Sequence, residues 1–185
     1  MKTVLMICLA IFQLSMTHGR QTYGKETIDK VDVNGFVKLE GTHVSESLQV
    51  NGRLKAEDAQ IGEMLVNGTA TLNRCTVKEM RVNGRAVLDH STIKQKSVVC
   101  GTLQPSFSNF QDEITISSEK VIFNSCVLKS LRILKDKDDH LVQVVELKGK
   151  TTVDGSIIFE SGKGEVIISS DSIITGAIVG GKIRK

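Results

Sequence analysis

"RVNGRAVLDHS" (residues 81–91) decides how the rest of the chain is read. Its core, Val82-Asn83-Gly84, recurs as Val33-Asn34-Gly35, Val50-Asn51-Gly52 and Val66-Asn67-Gly68, and Gly101 continues the series, so the glycines follow one another at intervals of 17, 16, 16 and 17 residues. A fixed period of this length has to be tested as a repeat architecture before any other fold. Two residues before each Gly stand Val33, Val50, Val66, Val82 and Val99. Four before stand Val31, Leu48, Met64, Met80 and Ser97; two after come Val37, Leu54, Ala70, Ala86 and Leu103; four after come Leu39, Ala56, Leu72, Leu88 and Pro105. Nine after come Val44, Ile61, Val77, Ile93 and Phe110, and seven after lies a column of small residues, Thr42, Ala59, Cys75, Ser91 and Ser108.

Within each short stretch apolar and polar residues alternate with period two, the mark of strands with one face buried, and no segment holds a 3.6 period over the length a helix needs. Short strands whose equivalent positions align from turn to turn make an all-β, single-stranded parallel β-helix (β-solenoid), each coil about 4.8 Å above the last. The expected coil is 16–17 residues and the expected total eight to nine turns. The period is not a multiple of six, unlike that of the left-handed hexapeptide solenoids, so the right-handed form is expected. Asn-Gly is read as the corner, both residues tolerating positive φ. Asn34, Asn51, Asn67 and Asn83 are then expected to stack and to bond amide to amide along the axis. The structural ladder residues are therefore these four asparagines with Gly35, Gly52, Gly68, Gly84 and Gly101, and Val33, Val50, Val66, Val82 and Val99 form the core ladder.

The pattern runs on. "ITISS" (114–118) fills the slot of "MRVNG" (80–84), and "VIFNSCVLKSLRI" (121–133) overlays "ATLNRCTVKEMRV" (70–82), with Cys126 over Cys75. A charged loop, "KDKDDH" (135–140), interrupts it; "TTVDGSIIF" (151–159) is read as restoring the register with Val153, Asp154 and Gly155 in the corner slot. One coil buries five or six side chains worth about 1.5–3 kcal/mol each, against about 1–2 kcal/mol of backbone entropy for every residue it orders. A lone coil does not fold, and stability has to come from stacking.

The first nineteen residues read as a secretory signal: Lys2, the apolar run "TVLMICLAIF" (3–12), then small residues leading to cleavage after Gly19. The expected organisation is a signal peptide over 1–19, an N-terminal cap over 20–30, regular coils over 31–135, and irregular final coils with a C-terminal cap over 136–185. The location that follows is secreted or periplasmic, with no transmembrane segment after cleavage. The net charge of +3 is spread without single-sign blocks, which argues against nucleic acid as a partner.

The "VNG-x-[VLA]-x-[LA]" turns across 31–179, with an aliphatic core and no long loops, resemble the bactofilins, polymer-forming cytoskeletal β-helices of bacteria; exported bacterial solenoids are an equal comparison. The resemblance implies a structural protein that associates end to end, although bactofilins carry no cleaved signal.

The residues offer little chemistry. Cys75 and Cys126 share a column three turns apart, too far for a disulfide, and Cys100 takes an Asn position in a corner. His43, His90 and His140 fall in different columns, so neither a catalytic constellation nor a metal site converges. No cofactor is expected. Glu40 and Glu57 are ladder neighbours at a spacing that also suits a glycosidase carboxylate pair. Lys38 and Lys55 stack, as do Lys78 and Lys94 with Lys129 beyond; such ladders can dock an anionic polymer or simply keep the sheet soluble. The expected function is a non-enzymatic, exported scaffold or surface solenoid, binding itself end to end or an unknown protein or polysaccharide. The alternative is a β-helix that binds or cleaves carbohydrate with one face.

Overall fold

The computed structural model describes residues 17–135 and 141–184. Its strands are β1 (Thr17–Tyr23), β2 (Thr27–Glu40), β3 (His43–Glu57), β4 (Gln60–Asn73), β5 (Thr76–Asp89), β6 (Thr92–Ile93), β7 (Ser97–Ser106), β8 (Asn109–Ser117) and β9 (Lys120–Asn124). They continue as β10 (Val127–Ile133), β11 (Gln143–Lys148), β12 (Thr152–Val153), β13 (Ile157–Phe159), β14 (Gly164–Ile168), β15 (Ile173–Ile174), β16 (Ile178–Val179) and β17 (Gly181–Arg184). All the pairings are parallel and join into one sheet, a β-solenoid of about ten turns, slightly more than the eight to nine expected from the sequence.

Register is set by the aliphatic columns, because a one-residue slip would turn every inward side chain to water. Val33, Val50, Val66, Val82 and Val99 are consecutive partners, all fully buried, and the column continues through Ile116, Ile133 and Phe159. The other columns do the same, as in Val44–Ile61–Val77–Ile93–Phe110–Leu128. Phe110 and Phe123 meet edge to face inside the stack with ring centres 6.3 Å apart.

The stack begins before residue 31. Strand β1 pairs Thr17 with Val33 through to Tyr23 with Leu39, so residues 20–30 belong to a first coil in register. Its inward positions carry Gln21 and Tyr23 where later coils carry aliphatics, so the columns end in polar groups at this end. Residues 1–16, most of the expected signal segment, lie outside the described residues, as does the 136–140 part of the charged loop with His140. At the other end Ile174, Ile178 and Ile183 continue the columns of Val153, Ile157 and Val166. Ile183 is nonetheless 56% exposed, alongside Ile173 at 57% and Val179 at 51%.

Two expectations about the corners are corrected. First, only the glycine of each Asn-Gly pair has positive φ, from 127° at Gly101 to 145° at Gly52, and the backbone ladder of β3, β4 and β5 runs unbroken through that corner. The sharp left-handed corner sits six residues after each Gly, at Gly41, Asp58, Arg74, His90 and Phe107, with Ser125 beyond, at φ between 47° and 68°. The small column follows it immediately and explains its own composition. The Ser91 hydroxyl donates back to the Asp89 carbonyl at 2.9 Å and accepts the Cys75 N–H of the previous coil at 3.1 Å. Ser108 does the same with Ser106 (2.8 Å) and the Ser91 N–H (3.2 Å). A small side chain with a polar tip satisfies two backbone groups that the turn would leave buried and unpaired.

Second, Gly155 does not fall in the Asn-Gly column. Val153 pairs with Leu128, and Phe159 pairs with Ile133, the true continuation of the Val33 column. From β11 on, the chain runs one corner earlier in phase than the sequence pattern suggests, and Gly155 packs against the backbone of Lys129 with Gly176 above it. The phase is decided by burial of Ile157 and Phe159, which local spacing does not reveal.

Candidate binding surfaces

The Asn-Gly corner is built as an axial hydrogen-bond ladder. The Asn51 amide donates to Asn34 at 2.8 Å, Asn67 to Asn51 at 2.7 Å, and Asn83 to Asn67 at 2.8 Å. Beside it, a Cβ on Gly68 would lie 2.0 Å from the Gly52 carbonyl oxygen, and Gly35, Gly52, Gly84 and Gly101 are as tight. Both the backbone conformation and the approach of the next coil demand glycine. The column continues with exposed Cys100 over Asn83 and Ser117 over Cys100. Cys75 and Cys126 are buried, their thiols held up in pKa by burial, and each donates to a carbonyl at 3.3 Å.

Glu40, Glu57, Asn73 and Asp89 are consecutive partners on the outer surface. Glu57 is bound at 2.8 Å by Arg74, which also grips Asp58 through two nitrogens at 2.7 and 2.9 Å. The hydrogen bonds from Arg74 hold the Asp58 carboxyl below its ordinary range. Glu40 pairs with Lys38, and Asp89 lies 3.0 Å from His90, whose ring stacks on Phe107. The acids of this column are thus tied to cations or to an imidazole. His43 and His90 are exposed and in different columns. Among the described residues no three His, Cys, Asp or Glu side chains gather in a metal-holding group, and no helix is long and apolar enough to cross a membrane.

One face has a charge pattern that the sequence reading saw only in part. Between the Asn ladder and the acidic column run two outward columns. The first is Arg20, Phe36, Arg53, Thr69, Arg85 and Thr102, with an arginine on every second coil. The second is Thr22, Lys38, Lys55, Thr71, Val87 and Gln104. Neither contains an acid. Arg20 lies over the Phe36 ring at 5.0 Å, and Arg85 donates to Gln104 at 2.6 Å. The position after each Gly carried this signal, but counting lysine ladders alone passes over it.

The opposite side of the corner carries a shallow groove of about 280 Å³ between Ser47, Gln49, Glu63, Leu65, Glu79 and Arg81. A second, of about 560 Å³, lies by the last coils along Val142, Gly162–Glu165 and Gly180–Lys182. The chain matches no protein-family model, no curated protein and no solved structure.

Proposed function

We propose that the protein is an exported, non-enzymatic β-solenoid that works as a scaffold or surface module through its length, its faces and its ends, in the manner of the bactofilin-like solenoids it resembles. The observation that carries the reading is the contrast between ends and sides. The faces are ladders of polar side chains, and Glu40, Glu57 and Asp58 are engaged in ion pairs. The last described coil carries the core columns on to Ile174, Ile178 and Ile183, with Ile183 56% exposed and Ile173 and Val179 exposed beside them. Exposed strand edges with apolar side chains are templates for association with another chain.

Light scattering with negative-stain microscopy tests this. The expected result is assembly of rods joined at their ends, lost in an Ile178→Lys/Ile183→Lys double variant that keeps its β circular dichroism. A wild-type chain that stays monomeric at tens of micromolar, or assembles as well with both lysines, sinks the end-to-end part. Export is read by N-terminal sequencing of the released form, with Arg20 as the expected first residue. That start would leave Arg20–Tyr23 to pair with Phe36–Leu39. Recovery of the protein only inside the cell with its first residues intact would overturn it.

A further inference from the structure

We propose that the face formed by the Arg20–Arg53–Arg85 column and the neighbouring Lys55 docks a linear, carboxylated polysaccharide laid along the solenoid axis. The inference rests on the interaction-protein reading above and names the ligand class of one face. Its first support is charge. The acids bordering this face are already engaged: Glu40 by Lys38, Glu57 by Arg74, Asp89 beside His90. The face's other cations have no acidic partner. Arg53 and Lys55 are exposed, Arg20 meets only the ring of Phe36, and Arg85 only the neutral Gln104. Within the two columns themselves every charged side chain is a cation, over five coils.

The second support is spacing. Rungs rise by about 4.8 Å, so arginines on alternate coils stand about 9.6 Å apart in a straight line. An extended pyranose chain advances by about one rung per sugar, which brings a carboxylate opposite an arginine at every second sugar. The guanidinium fork matches a carboxylate bidentately. Thr69 between Arg53 and Arg85, and Thr102 beyond Arg85, offer hydroxyls to sugar hydroxyls. Other macromolecules fit less well. A folded protein partner needs an apolar centre to its interface, which these columns lack. A single nucleic-acid strand needs a series of aromatic platforms, and Phe36 is the only aromatic here, already under Arg20.

Affinity gel electrophoresis of the purified full chain tests the proposal, with polygalacturonate, dextran and a single-stranded oligonucleotide as probes. Retardation by polygalacturonate is expected, weakening steeply with added salt as counterions compete. An Arg53→Gln/Lys55→Gln/Arg85→Gln variant is expected to bind about tenfold more weakly. A Lys78→Gln/Lys94→Gln/Lys129→Gln variant, equal in lost charge but on other ground, should bind as the wild type does; circular dichroism checks that both fold. No retardation, equal retention by dextran, tighter binding of the oligonucleotide, or equal loss in the two triple variants overturns the docking face and leaves the scaffold reading standing. Shortening of the polygalacturonate would instead overturn the non-enzymatic reading and count for the docking face.

Discussion

At the scale of the residue, the glycines of the Asn-Gly corners are the least replaceable positions. Gly68 combines φ of 139° with a neighbour carbonyl where a Cβ would stand. Gly68→Ala is expected to cost about 1–3 kcal/mol in backbone strain alone, with the displaced coil adding to it. A drop in the denaturation midpoint much larger than that of Gly24→Ala, where φ is not positive and nothing lies within 4 Å of an added Cβ, would show it. The cysteines divide just as sharply. In the native protein a maleimide should label Cys100 within minutes and leave Cys75 and Cys126 untouched until denaturant is added, as peptide mass spectrometry can read. Burial keeps those two thiols protonated and out of reach. The asparagine ladder and its glycines were legible in the sequence because they repeat by identity. The left-handed corner was not: Asp58, Arg74, His90, Phe107 and Ser125 share a backbone angle and no chemistry, and residue type does not encode what only the small residue after them makes possible.

At the scale of the element, each coil is tied to its neighbours by side chains as well as by the backbone ladder. Arg74 at its corner spans back to Asp58 one coil away, while Lys148 and Lys120 hold Glu146 low in pKa. Asp58 has a folded pKa below its unfolded one. Its contribution is therefore complete above the unfolded value, about 3.9, and is lost as pH falls through the folded one. Glu146 behaves the same way, with Lys148 the larger cause. The urea midpoint should accordingly fall between about pH 5 and pH 2, and Arg74→Gln should flatten part of that fall by lowering the midpoint near neutrality while leaving it nearly unchanged in acid. A variant as acid-sensitive as the wild type would show that the clamp adds nothing. Because Asp58 and Arg74 are at the surface, the effect is expected to be small and to shrink in salt.

At the scale of the whole molecule, stability is a property of the stack, since no coil can bury its columns alone. Leu72, fully enclosed by coils above and below, should cost about 2–5 kcal/mol on replacement by Ala. Ile183 is half exposed in the last described coil and should cost far less, a contrast that equilibrium denaturation of the two variants would measure. The solenoid, the coil length, the inward columns and the overlay of 114–133 on the VNG coils follow from the order of residues alone, because all of these are periodic and a period of two with one buried face admits a single register. Tertiary structure alone decided three things. It placed the left-handed corner in a column without a common residue, it set Gly155 out of the glycine column because Ile157 and Phe159 had to be buried, and it gathered Arg20, Arg53 and Arg85 into a line. Residues some thirty positions apart become neighbours two rungs away only when the coils are stacked, so a charge pattern that looks scattered along the chain becomes continuous on the surface.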